Sequence, residues 1–128
     1  MYLLDTDTCV WLLRAHPAVV GRAKRESPAD LAVATMTIAE LWYGALRGNR
    51  PDAFDVVRRF LATDVQVLPF DTAAAYQHAE IRQAVRAQPI GPRDLEIASV
   101  GLARGLTVVT ANLREFSRVP GLTVESWV

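Results

Sequence analysis

The chain is poor in the residues that usually carry redox, zinc or nucleophile chemistry. It has one cysteine, Cys9, two histidines, His16 and His78, and one lysine, Lys24. A lone cysteine excludes an internal disulfide, and Cys9 reads as a small buried residue on the first helix of a cytosolic protein. Neither histidine stands beside it in sequence, so a cysteine nucleophile is not expected. His16 precedes Pro17 and His78 lies mid-helix among polar residues; neither belongs to a zinc-like cluster. Apolar runs fall far short of the roughly 20 residues that span a bilayer, so no membrane span is expected. No basic stretch precedes the first apolar run, so no signal peptide is expected either. Repeats, low-complexity segments and linkers are absent. Net charge is zero, from 14 basic and 14 acidic residues. That balance argues against strong nonspecific binding to long nucleic acid.

What is present is an ordinary globular composition, 51% hydrophobic over 128 residues. It suits a single domain over residues 1–128 with its own core. Strand-like and helix-like patterns alternate along it. Tyr2-Leu3-Leu4 predicts a short buried strand, and residues 8–14 a helix that stops near Pro17. A second short helix is expected over 17–25. A strand follows at 31–34, then a helix from Ile38 to Leu46 and another over 51–62. Residues 65–68 predict a strand, and Asp71 caps a helix from Thr72 to about Ala87. Pro92 and Gly105 bracket the next helix in the usual asymmetry. Residues 106–110 read as a strand buried on both faces, 112–116 as a loop or single turn, and 122–124 as an edge strand. The expected fold class is α/β, an open, mostly parallel sheet of four to five strands with helices on both faces.

In such sheets ligands bind at the carboxyl ends of the strands. Three acids stand on that side of three different βα units: Asp5, Glu40 and Asp94. Each has a plainer reading. Asp5 or Asp7 serves as a helix N-cap, with Asp7 favoured because it stands one residue before the expected helix. Thr37-Ile38-Ala39-Glu40 matches a capping box, which points the Glu40 carboxylate back at the backbone. Asp94 in a first turn complements the helix dipole. Asn112 is compatible with a simple turn, and Glu96 and Glu115 with surface charge. Taken together, acids at three strand ends suit Mg²⁺ or Mn²⁺, hard cations that take oxygen ligands and keep several waters. Such an ion acidifies water and screens a phosphodiester's charge, so no side-chain nucleophile is needed.

The segments 3–7, 37–44 (Thr-Ile-Ala-Glu-Leu-Trp-Tyr-Gly), 90–98 (Ile-Gly-Pro-Arg-Asp-Leu-Glu-Ile-Ala), 109–116 (Val-Thr-Ala-Asn-Leu-Arg-Glu-Phe) and 119–127 occur in this order. Together they resemble the PIN-domain family of metal-dependent ribonucleases, in particular the VapC-type toxins of type II toxin–antitoxin pairs. The resemblance covers essentially the whole chain. It implies a PIN-like fold and hydrolysis of RNA. Asp5, Glu40 and Asp94 would surround Mg²⁺ or Mn²⁺, with Asp5 and Asp94 the most direct ligands. The family's fourth acid falls at Asn112, an amide that can ligate or orient water without adding charge. Asp7, where the family often has Asn, and Glu115 are candidates to supply the missing charge. The resemblance further implies a homodimer and a cognate antitoxin whose tail covers the groove. Exposed parts of Trp11, Trp42 and Tyr43 would receive that tail, although burial is the expected fate of all three. Arg14, Arg47, Arg50, Arg93 and Arg114 stand near site-facing ends and are candidates for RNA phosphates.

Two other phosphoryl-transfer classes are compatible with Asp5-Thr6-Asp7 alone. A haloacid-dehalogenase-type phosphohydrolase and a phospho-accepting receiver domain both need a lysine after a later strand. The only lysine is on an early helix. A PIN-like domain that binds without cleaving is disfavoured by the intact Asp5, Glu40 and Asp94.

Overall fold

The computed structural model describes residues 1–128. Five strands, β1 (Tyr2–Leu4), β2 (Leu31–Ala34), β3 (Gln66–Leu68), β4 (Thr107–Val109) and β5 (Val124–Glu125), form one sheet in the order β3-β2-β1-β4-β5. Every pairing is parallel. Seven α-helices make the connections: α1 (Thr6–Leu13), α2 (Pro17–Ala23), α3 (Thr35–Arg47), α4 (Ala53–Leu61), α5 (Thr72–Ala84), α6 (Pro92–Arg104) and α7 (Leu113–Phe116). A 3₁₀ turn at Pro28–Asp30 leads into β2.

Side chains alternate across the pleat, and both faces are buried. Leu3, Ala32, Ala34, Leu68 and Val108 face one core, shared with Ile81 of α5 and Leu95, Ile97 and Ala98 of α6. Leu4, Leu31, Val33 and Val109 face the other, with Cys9, Val19, Leu41, Val57 and Phe60 from helices α1 to α4. Cys9 is fully buried, and burial pushes its thiol up to about 12, so it is filler as expected. Gly101 lets α6 lie against the sheet: a Cβ there would stand 2.8 Å from Val108 Cγ2. Gly105 ends α6 in the left-handed conformation, at φ 65°, where glycine is favoured.

The register aligns the strand ends. Leu4 pairs with both Val33 and Val109, so Asp5, the start of α3 and Thr110 emerge at one edge. Several local expectations change. Helix α1 begins at Thr6, two residues early, so Asp5 is its N-cap and Asp7 lies inside the first turn. Helix α3 begins at Thr35, directly on leaving β2. Thr37 is therefore helical, and the Thr37–Glu40 capping box does not form. The threonine hydroxyls at the start of α3 find partners off the helix: the Thr35 hydroxyl donates to Leu68 O at 3.2 Å, and Thr37 Oγ1 meets Thr6 Oγ1 at 3.1 Å. At the far end β5 is Val124–Glu125 instead of residues 122–124. Ladder pairing begins only where the Val108 N–H reaches Thr123 O, at 2.9 Å, after the left-handed turn at Gly121. Helix α5 stops at Ala84, short of residue 87.

Candidate active site at the carboxyl edge of the sheet

Asp5 is held from three sides. Its own N–H continues the sheet by donating to Val109 O at 3.0 Å. Its Oδ1 accepts the Thr8 N–H at 2.8 Å, capping α1. The Thr110 hydroxyl also favours the ionised form. Even so, burial dominates: the residue is 5% exposed, and desolvation holds its carboxyl above the usual aspartate range, with repulsion from Asp7 in the same direction. A cap that is buried among other carboxylates, when Ser or Asn would cap equally well, carries a cost that capping alone does not explain.

Asp94 reaches the same place from the first turn of α6. Its carboxyl is also raised, first by desolvation and then by the charges of Glu115, Asp5 and Asp7. Repulsion between Asp5 and Asp94 is the electrostatic sign that two strand-end acids converge. They line an open cleft of about 520 Å³ with Asp7, Glu40 and Arg93, and no hydrophobic residue lines it. Glu40 sits in the second turn of α3. There it ion-pairs with Arg93 at 3.1 Å instead of capping its own helix.

Asn112 joins this group as a donor. Its Nδ2 donates to Glu115 Oε2 at 2.7 Å and lies 3.4 Å from Asp94 Oδ2. Its backbone N–H donates to Thr110 Oγ1 at 2.9 Å. The other oxygen of Glu115 accepts the N–H of Gly91, the N-cap of α6. These bonds hold the Glu115 carboxyl below the usual glutamate range. Glu115 thus ties the start of α6 to the loop after β4, and both its oxygens are engaged by N–H donors. The partnership was foreseeable only in part: Glu115 is three residues past Asn112, but nothing in the sequence pairs it with Gly91. The Arg93–Glu40 pair and the Thr8 and Thr110 contacts to Asp5 were likewise unforeseen.

The donors are all oxygen, which suits a hard divalent cation. No three acidic, histidine or cysteine side chains close into a ready-made cage. Among the arginines, Arg93 lines the cleft, while Arg14 and Arg50 line a neighbouring groove of about 290 Å³ that shares Glu40 with it. Arg47 lies over the Tyr43 ring, 5.5 Å from its centroid. Trp11 and Trp42 pack partly buried against the second core, but Tyr43 is 58% exposed and not buried as expected. Residue 43 follows Trp42 on α3, and one helix face cannot bury both.

A five-stranded parallel sheet with carboxylates at its central crossovers defines a class, and the comparisons give it a family. The PIN domain model matches residues 2–122, and the chain belongs to that family. Over 128 residues it is 35% identical to the tRNA(fMet)-specific endonuclease VapC of Salmonella typhimurium, covering 98% of this chain and 97% of that protein. Ribonuclease VapC2 of Haemophilus influenzae is 30% identical, covering 99% and 98%. Among solved structures, DNA-bound VapBC from Salmonella typhimurium superposes with a TM-score of 0.90 at 36% identity, covering 99% of this chain and 98% of that one. VapBC2 from Rickettsia felis, bound to a promoter DNA fragment, gives 0.88 at 28% identity, covering the same shares.

Proposed function

We propose that residues 1–128 form a single PIN domain that is the toxin of a toxin–antitoxin pair, a Mg²⁺- or Mn²⁺-dependent endoribonuclease of the cytoplasm. The observation that carries this reading is the convergence of Asp5 and Asp94 in a cleft with no apolar wall, at the strand ends where such folds work. The kinship to VapC ribonucleases supports the substrate class, and the VapBC complexes support an antitoxin partner.

In this reading Asp5 and Asp94 would hold the ion, and Glu40, which pairs with Arg93 on the same cleft, would be the third acid of the set. A divalent ion supplies Lewis-acid activation of water and neutralises charge at the phosphodiester. The chain's own part is orientation. Thr8 and Thr110 fix the Asp5 carboxylate, and Asn112 holds Asp94 and Glu115 at a set separation. Asp7 adds negative potential at the cleft without a direct role. Arg93, exposed on the cleft wall beside Glu40, would meet an RNA phosphate. Exposed Tyr43 and Leu46 of α3, with Phe70 and Tyr76, offer apolar surface for a second copy or the antitoxin. No helix is long and apolar enough to cross a membrane.

The test is cleavage of a mixed RNA pool, with initiator tRNA as the first defined substrate. Cleavage is expected with Mg²⁺ or Mn²⁺, suppression by EDTA, and loss in Asp94→Asn. Absence of cleavage by antitoxin-free protein with either ion would sink the nuclease reading.

A further inference from the structure

Net neutrality hides a local imbalance. The cleft holds four carboxylates. Adjoining it, across Pro92, is a second hollow of about 520 Å³ with no carboxylate in its wall. Its rim carries His78, Arg82 and Arg86, spaced four residues apart along and just past α5. Val85, Ile90 and Leu95, core residues each 7% exposed, also line it and supply its apolar wall. Neither Arg82 nor Arg86 has a carboxylate within 4.0 Å, which is also true of six other arginines; what sets this pair apart is that they share one hollow. Arg86 Nη1 donates to Gln83 O at 2.7 Å, which orients the guanidinium and leaves most of its donors unused. His78 is set edge-on to Phe70 at 5.6 Å between ring centroids.

Cations near the end of α5 complement its dipole. That role needs no apolar wall beside them and no carboxylate-free lining adjoining an acidic cleft. Cationic donors beside a small apolar wall, with a flat ring at the rim, match one nucleotide of single-stranded RNA: phosphate to arginine, base to wall and ring.

We propose that this hollow is a nucleotide subsite flanking the scissile position. Arg82 and Arg86 bind backbone phosphate, and His78 with the apolar wall receives a base. The proposal rests on the ribonuclease reading above. It extends the RNA path from the cleft over Pro92 and along the end of α5. It also explains how a neutral protein holds a polyanion beside an acidic cleft: the cations are gathered next to the acids and left without partners.

The test is binding, not cleavage, so its outcome is separate from that of the nuclease assay. Fluorescence anisotropy of a single-stranded RNA of about 12 nucleotides is measured in EDTA. The proteins are the parent, Arg82→Ala/Arg86→Ala, Arg82→Gln/Arg86→Gln and Arg25→Ala, the last lining neither cavity. Both double variants are expected to bind roughly 10-fold more weakly, and their slope of log affinity against log salt to shrink by roughly 1.4, the value for two phosphates on a single strand. Arg25→Ala is expected to bind like the parent. Equal affinity in parent and double variants, an equal loss in Arg25→Ala, or no RNA binding by the parent would overturn the subsite. So would a double variant that loses an acidic peptide of matched charge while keeping RNA, which would assign the hollow to a protein partner.

Discussion

If Asp5 is both a helix cap and a metal carboxylate, two substitutions at one position must part company. Asp5→Ala removes the cap on Thr8 N–H, which costs about 1 kcal/mol. With about 2.1 cal/mol/K of unfolding entropy per residue, that is roughly 4 °C in Tm for a chain of this length. Asp5→Asn keeps a cap of equal quality and removes a buried charge that desolvation and Asp7 both oppose. Without metal its Tm should equal or exceed that of the parent. With Mn²⁺ at a hundred times its dissociation constant, the parent gains about 2.7 kcal/mol, roughly 10 °C. A hundredfold loss of affinity in Asp5→Asn would leave it about 0.4 kcal/mol, under roughly 2 °C. The order of stability therefore inverts between EDTA and Mn²⁺, while RNA cleavage is lost throughout. Thermal unfolding of parent, Asp5→Asn and Asp5→Ala in both buffers decides it. The reasoning is refuted if Asp5→Asn is as unstable as Asp5→Ala in EDTA, or if Mn²⁺ raises parent and Asp5→Asn equally.

The same charges set a pH signature for the metal-free protein. Asp5 and Asp94 are raised in the folded state, so the fold gains stability as pH falls from neutral through their folded pKa values toward the usual aspartate range near ~3.9. Glu115 is lowered, so its contribution is lost only as pH falls below the usual glutamate range; denaturant titrations across pH should show the gain before the loss, and Asp5→Asn should shrink the gain. Glu115→Gln, whose amide can still accept from Gly91 and meet a rotated Asn112, should keep most activity and an unchanged metal requirement, while Glu115→Ala should lose roughly 10–100-fold. An equal loss in both would make the Glu115 charge, and not its tethering of α6, the functional property. Glu40→Gln should move stability by less than about 1 kcal/mol, because the pair it breaks is partly exposed, yet it should abolish cleavage. Gly101→Ala gains about 0.5–1 kcal/mol of helix propensity but meets Val108 Cγ2 at 2.8 Å, an overpacking cost of about 1–3 kcal/mol; a net fall in Tm of a few degrees is expected, and a rise would mean α6 can lift from the sheet.

Much of the fold was determined by sequence alone. Strand runs such as Leu3-Leu4 and Val108-Val109 are short and apolar because parallel strands are buried on both faces. Pro92 and Gly105 mark α6 because one needs no N–H at a helix start and the other tolerates positive φ at its end. Asp5, Glu40 and Asp94 were legible as a set because each stands near the start of a helix in a different crossover, Asp5 and Glu40 soon after a strand and Asp94 in the first turn of α6. What sequence could not determine was the direction of each side chain. Register and helix phase decide that, and both are tertiary. Starting α3 at Thr35 dissolved the apparent capping box and turned Glu40 toward Arg93. Starting α1 at Thr6 gave the cap to Asp5 and left Asp7 in the helix. The contact of Glu115 with Gly91 joins two separate crossovers, and the hollow beside Pro92 forms only where α5 and α6 of one crossover pack together. Local periodicity carries no information about such meetings; they exist only once the strands align and the loops are brought to one edge.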